Sequence, residues 1–101
     1  MPSNAIGPAL SGIHAAFERR AASAHNVANL QTEDFRPLRT RQVEVQSGGV
    51  RVEVDRAAEP REVDLAGELV SSSVASVQAR ASLRVLDTEL DLVGSLIDTL
   101  A

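Results

Sequence analysis

Cysteine, tryptophan and tyrosine are absent from the 101 residues, and Phe17 and Phe35 are the only aromatics. Without cysteine, no disulfide framework or thiolate metal site can form. Cysteine-free chains suit any compartment, including an oxidising one. Large side chains supply most of the burial energy of a thick core. The apolar fraction is 44 %, much of it alanine, so the core is expected to be thin, such as a helix pair that gains stability from other chains. An excess of basic charge is also missing. The net charge of −4 argues against general nucleic-acid binding, which needs a basic face to neutralise phosphates. No apolar run approaches the about 20 residues that cross a bilayer. Met1 to Gly7 has no positive segment followed by an apolar stretch, so a cleaved secretory signal is not expected. The length allows one domain, residues 1–101.

Patterns that carry catalysis are missing as well. His14 and His25 share a helical face but would lie about 16 Å apart along its axis, too far for one metal ion. No serine stands in a nucleophile elbow. Gly48-Gly49 has neither the lysine nor the following helix of a phosphate loop. Glu68, Asp87, Glu89, Asp91 and Asp98 read as a solvated helix face. The expectation is a non-enzyme with no cofactor, metal ion or small-molecule substrate.

What the chain does have is a seam in strict four-three alternation: Leu65, Leu69, Ser72, Ser76, Ala79, Leu83, Leu86, Leu90, Val93, Ile97, Leu100. That spacing keeps one stripe of a helix turned toward a partner. Asp64 is a suitable N-cap, and the helix is expected over residues 64–99. In the middle, Ser72, Ser76 and Ala79 replace leucine; small residues either weaken the seam there or let a neighbouring backbone approach closely. Val70, Val74, Val77 and Ala81 form a second stripe on an adjacent face, which suggests more than one partner helix. Gly94 costs about 0.8–1.0 kcal/mol of helix stability relative to alanine.

An earlier helix is expected over residues 8–29, starting at Pro8, a favoured first helical residue. Its apolar stripe is Leu10, Ile13, Phe17, Ala21 or Arg20, Ala24 and Val27, with Ile6 one step before it. Gln31 to Thr40 reads as an irregular connector, disfavoured as helix by Pro37, in which Arg36, Arg39 and Arg41 could be solvated or could dock an acidic neighbour. Residues 42–55 alternate around Ser47-Gly48-Gly49, which predicts a β-hairpin with Val43, Val45, Val50, Val52 and Val54 on one apolar face. A lone hairpin is marginal in water and should lie against a helix or another subunit. At 1.5 Å per residue the later helix spans roughly 50 Å and the earlier one about 30 Å, so part of the later one must overhang with an apolar seam. The fold class is therefore mainly α: antiparallel N- and C-terminal helices, coiled-coil-like, with a short β-hairpin between them. Leu83, Leu86, Leu90, Val93 and Ile97 should supply the packing, with Leu10, Ile13 and Phe17 opposite, and Leu65, Leu69, Val27 and Leu100 extending the interface.

The first helix closes on Ser23-Ala24-His25-Asn26-Val27-Ala28-Asn29, followed by Leu30-Gln31-Thr32-Glu33-Asp34-Phe35. This resembles the signature of the flagellar basal-body rod and hook family: roughly Ser-Ala-Asn-Asn-Ile-Ala-Asn, two free positions, then Thr-Pro-Gly-Tyr. Ser23, Ala24, Asn26, Ala28, Asn29 and Thr32 match, Val27 stands for isoleucine and Phe35 for the aromatic. His25 replaces an asparagine, and Glu33-Asp34 replaces the Pro-Gly turn. Val63 to Val70 resembles the approach to that family's C-terminal helix, with its acidic-hydrophobic pair at Glu68-Leu69. Arg39 to Gln46 and Gly49 to Val52 are most similar to the family's proximal-rod members, relative to which this chain is shortened between hairpin and long helix. The resemblance implies a structural subunit, packing with copies of itself and other rod subunits in a tubular periplasmic rod, and exported by the flagellar apparatus without a cleaved signal. The other reading is a divergent, shortened relative acting as a coiled-coil homo-oligomer or adaptor outside the rod. Asn26 and Asn29 fall where the last helical carbonyls lack partners. Asparagine there can stop the helix locally, or bridge to a neighbouring helix.

Overall fold

A computed structural model describes residues 5–100, which form helix α1 (Ile6–Ala28), strands β1 (Leu38–Glu44) and β2 (Val50–Arg56), and helix α2 (Leu65–Leu100). The expected mainly helical architecture is present: the two helices pack on each other, with an antiparallel two-stranded hairpin inserted between them in sequence. Its greatest extent is 63 Å, and its radius of gyration of 17.6 Å exceeds the about 13 Å of a compact chain this long.

α1 begins two residues before the expected Pro8. The Ala9 amide donates to the Ala5 carbonyl at 2.8 Å, which places Pro8 within the first turn. Proline is tolerated throughout that turn because its N–H would have no helical partner. α2 starts as expected: the Asp64 carboxylate accepts from the Gly67 amide at 3.1 Å, and the Asp64 carbonyl takes the first helical bond from Glu68. It runs through Gly94 to Leu100 without a break.

The hairpin is longer than the alternation suggested. β1 begins at Leu38, so Arg39, Thr40 and Arg41 are strand residues and not connector. Its turn is a Gln46-Ser47-Gly48 loop in which the Gly48 amide donates to the Val45 carbonyl at 2.8 Å and Gly48 and Gly49 both have positive φ. That loop sets a register in which Gln42 opposes Val52 and Val43 opposes Arg51. Directly opposed residues share a face. The five valines are therefore split: Val50, Val52 and Val54 lie on one face, and Val43 and Val45 lie on the other. A register shifted by one would have gathered all five, but turn geometry fixes it. The second face is solvated and carries Arg41, Arg51 and Glu53. Hydrogen bonding from Arg41, then from Arg51, holds the Glu53 carboxyl below its ordinary range.

α1 meets α2 through small residues. Ala9, Gly12, Ala15, Ala16, Ala22 and Ser23 on α1 and Ala75 on α2 are buried. A β-carbon at Gly12 would run into the Ser82 hydroxyl. Gln78 ties the layers together: it accepts from Arg19 at 2.7 Å and donates to the Gly12 carbonyl at 3.2 Å and to Gln42 of β1 at 2.9 Å. The stretch around Ser72, Ser76 and Ala79 is thus a site of close approach, not of fraying. Gly12 lies beside Ser82 and Asn26 beside Glu68, so the helices are antiparallel: α1 ends against the first turn of α2 and begins opposite about the start of the last three turns of α2. We expect Gly12→Leu to wedge the helices apart and cost about 1–3 kcal/mol in a urea unfolding titration, the usual penalty of overpacking.

Candidate assembly interface

The end of α1 is organised by one buried amide. Asn26 is 1 % exposed, the largest fully buried side chain among the described residues. Its Oδ1 accepts from the Leu38 amide at 2.7 Å, and its Nδ2 donates to the Leu38 carbonyl at 2.8 Å. The side chain therefore pairs with the first residue of β1 as a neighbouring strand would. The second hydrogen of Nδ2 goes to Glu68 Oε2 on α2 at 2.7 Å, and the other carboxylate oxygen accepts from Ser23 at 3.3 Å. A helix, a strand and a second helix meet at this one residue. No buried side-chain polar atom among the described residues lacks a partner.

Asn29 does the local work. Its Nδ2 donates to the His25 carbonyl at 2.9 Å, its Oδ1 accepts from Thr32, and its own amide closes the last turn. Of the two roles open to the asparagines, Asn26 takes the bridge and Asn29 the helix stop. The turn that follows passes through Asp34 at φ 56°, the one non-glycine residue of positive φ among those described. Aspartate reaches that region more readily than most residues, though glycine does so at no steric cost. Phe35 then packs back on His25, with ring centroids 5.6 Å apart, and the Arg56 guanidinium lies over the Phe35 ring, 5.9 Å from its centroid.

The large apolar residues of both helices are turned outward. The inward stripe of α2 runs through Glu68, Ala75 and Ser82, each one residue before a seam leucine or serine, and shares the half-buried Ser72, Ala79 and Leu86 with the seam, so the helix is turned by about half the 100° residue step from the facing the heptads predicted. Leu69, Leu83, Leu90 and Ile97 are 52–61 % exposed, and Leu65, Val93 and Leu100 are also exposed; only Leu86 is half-buried. On α1, Phe17 is 59 % exposed and Leu10 is exposed, whereas Ile13 and Val27 are half-buried. Of the residues expected to join the helices, Leu83, Leu90, Val93, Ile97, Leu10 and Phe17 are thus exposed instead of packed between them, while Leu86 and Ile13 are half-buried. The cause is that alanine, glycine and serine permit closer backbone approach, and that Glu68 is drawn inward by Asn26 and Ser23.

Phe17, Ala24 and Val27 of α1 and Leu69 and Ser72 of α2 line one open apolar groove. The hairpin touches α1 through Pro8, Ser11 and Asn26, including a 3.0 Å bond from the Val50 amide to Ser11. At about 100° per residue, Leu10, Phe17 and Ala24 point away from that side. Beyond the start of α1, Leu90, Leu92, Val93, Leu96, Ile97 and Leu100 have no helix opposite them among the described residues. The overhang expected from the helix lengths is real.

His14 and His25 are exposed, and no group of three or more histidine, aspartate or glutamate residues among those described could hold a metal ion. No described helix is long and apolar enough to cross a membrane. Sequence reasoning missed Gln78; the visible signal was one amide side chain in a stretch otherwise built of serine, alanine and valine.

Asn26→Ala should cost about 2–4 kcal/mol in chemical denaturation, because it strands the Leu38 amide and carbonyl and removes a donor from Glu68. Asn29→Ala, losing exposed contacts only, should cost under about 1 kcal/mol. At position 34, Asp34→Gly should leave the thermal midpoint unchanged or raised, and Asp34→Ile should lower stability by about 1–2 kcal/mol.

No protein-family model matches the chain, and no curated protein matches it.

Proposed function

We propose that the protein is a structural subunit of the flagellar basal-body rod, of proximal-rod type, working in the periplasm by helix packing with copies of itself and with other rod subunits. The observation that carries this reading is the Asn26–Glu68 bond of 2.7 Å. It joins the two parts of the chain that separately resemble the family signature, the asparagine cluster ending α1 and the acidic-hydrophobic pair opening α2. Asp34 adds support, since its positive φ falls at the position where the family turn has glycine.

The physical logic of the role follows from the packing. A subunit that joins its own helices through alanine and serine keeps its leucines for neighbours. Here the outward surface formed by Phe17, Leu69, Leu83 and Leu90, and the overhang to Leu100, would be covered by adjacent subunits. Burying a leucine-sized side chain contributes about 1.5–3 kcal/mol, so a few such residues suffice to order an assembly. No bound cofactor or substrate is needed for such work.

A second reading, a shortened relative acting as a coiled-coil homo-oligomer or adaptor outside the rod, draws on a separate observation: Val70, Val74 and Val77 on the other side of α2 are 49–63 % exposed. Quantitative mass spectrometry of purified hook–basal bodies separates the two. Stoichiometric recovery is expected of a rod subunit; absence from complete basal bodies in cells that express the chain would remove the rod reading. Leu90→Asp, on the overhang where folding of the monomer does not need it, should abolish incorporation, because a buried unpaired carboxylate is costly. Unaltered incorporation of that variant would show that the seam is not the contact.

A further inference from the structure

The outer side of α2 carries a pattern that neither the monomer fold nor the seam uses. Arg80, Arg84, Asp87 and Asp91 are spaced by four, three and four residues, which places them in one row on the helix. All four are exposed, and the ion pairs among the described residues involve Arg41, Arg51 and Glu53 instead. The row is basic toward the start of α2 and acidic toward its end. Alongside it runs an apolar stripe of Val70, Val74, Val77, Ala81, Val85, Leu92 and Leu96, whose valines and leucines are 44–63 % exposed. By the helical step of about 100°, both lie away from Ala75 and Ser82, the residues turned to α1.

The charge order selects one partner and one orientation. Arg80 lies as far before the Val85–Leu86 midpoint as Asp91 lies after it, and Arg84 and Asp87 are equidistant from the same point. A two-fold axis crossing α2 there would set Arg80 of each copy against Asp91 of the other, and Arg84 against Asp87, giving the reciprocal contacts of an isologous interface. Such an axis maps each flank of the stripe onto itself, so the basic half meets the acidic half. A parallel pair would instead set this row against the opposite flank, where Gln78, Ser82 and Glu89 offer one charge. The same axis lays Leu92 of the overhang opposite position 79 and Leu96 opposite position 75, over the Val74–Ala81 stretch of the other copy. Ala81, between Val77, Arg84 and Val85, leaves shallow hollows beside it where knobs can enter.

We infer that the protein forms an antiparallel homodimer through the outer face of α2, aligned by reciprocal Arg80–Asp91 and Arg84–Asp87 pairs. This surface is separate from the leucine seam, so the inference does not rest on the rod reading. Sedimentation equilibrium of the full chain should show a reversible dimer. The variant R80D/R84D makes the row wholly acidic and D87R/D91R makes it wholly basic. Each alone should weaken dimerisation by roughly tenfold or more, and an equimolar mixture should recover a heterodimer. Circular dichroism matching the parent chain keeps a folding defect from being read as loss of the interface. Orientation follows from a spin label on Asp98→Cys: the antiparallel pair puts the two labels about 37 Å apart along the helix, whereas a parallel pair brings them to the interaxial spacing of about 8–10 Å. A monomer at all concentrations, a dimer indifferent to both charge reversals, or the short label distance would each overturn the inference. Incorporation into basal bodies is a separate readout, and loss of the dimer does not count against the rod reading.

Discussion

The side-chain amide of Asn26 is the constraint on which the rest of this structure depends. It is buried, and its oxygen and both hydrogens are used: the oxygen accepts from the Leu38 amide, and the hydrogens go to the Leu38 carbonyl and the Glu68 carboxylate. A two-stranded hairpin has little stability of its own. Asn26 extends the ladder by one polar side chain and thereby attaches the hairpin to α1. Through Glu68 it also sets the rotation of α2. A buried amide that lost these partners would carry the full cost of its desolvation, so the three elements are held together or not at all.

That rotation has a consequence for the surface. With Glu68 directed inward, Ala75 and Ser82 follow at intervals of seven and face α1. The helices then pack through alanine, glycine and serine, and the leucines of the seam are left at the boundary of the pair. A chain with two aromatics and, among the described residues, no large fully buried side chain other than Asn26 contributes little hydrophobic energy within the monomer. Its apolar area is concentrated outside. Seen this way, the thin core and the exposed leucines are one feature, and both suit a molecule whose stability is completed by neighbours.

The proposed rod role and the inferred antiparallel pair use different sides of α2. The first draws on Phe17, Leu69, Leu83 and Leu90 around the groove between the helices; the second uses the valine stripe and the Arg80–Asp91 row. A rod is polar, with its subunits pointing one way, whereas a two-fold pair points both ways. The two associations would therefore compete for the overhang, where Leu92 and Leu96 of one contact adjoin Leu90 and Ile97 of the other.

Much of this was legible from local pattern. Four-three periodicity places both helices, Asp64 is the cap it was read to be, and the glycine pair marks the turn, because each of these depends on residues a few positions apart. The lengths of the helices already require an overhang. What only the tertiary structure decided is which way each element faces. The heptads locate a stripe of leucines but do not say that a carboxylate one residue earlier will be drawn inward by an asparagine 42 residues away. Alternation locates five valines but not their faces, since a shift of one in register moves a whole strand's side chains across the sheet. The distinction is physical: secondary structure follows from near neighbours along the chain, while facing and register are set by a few long-range polar contacts whose partners sequence spacing does not reveal.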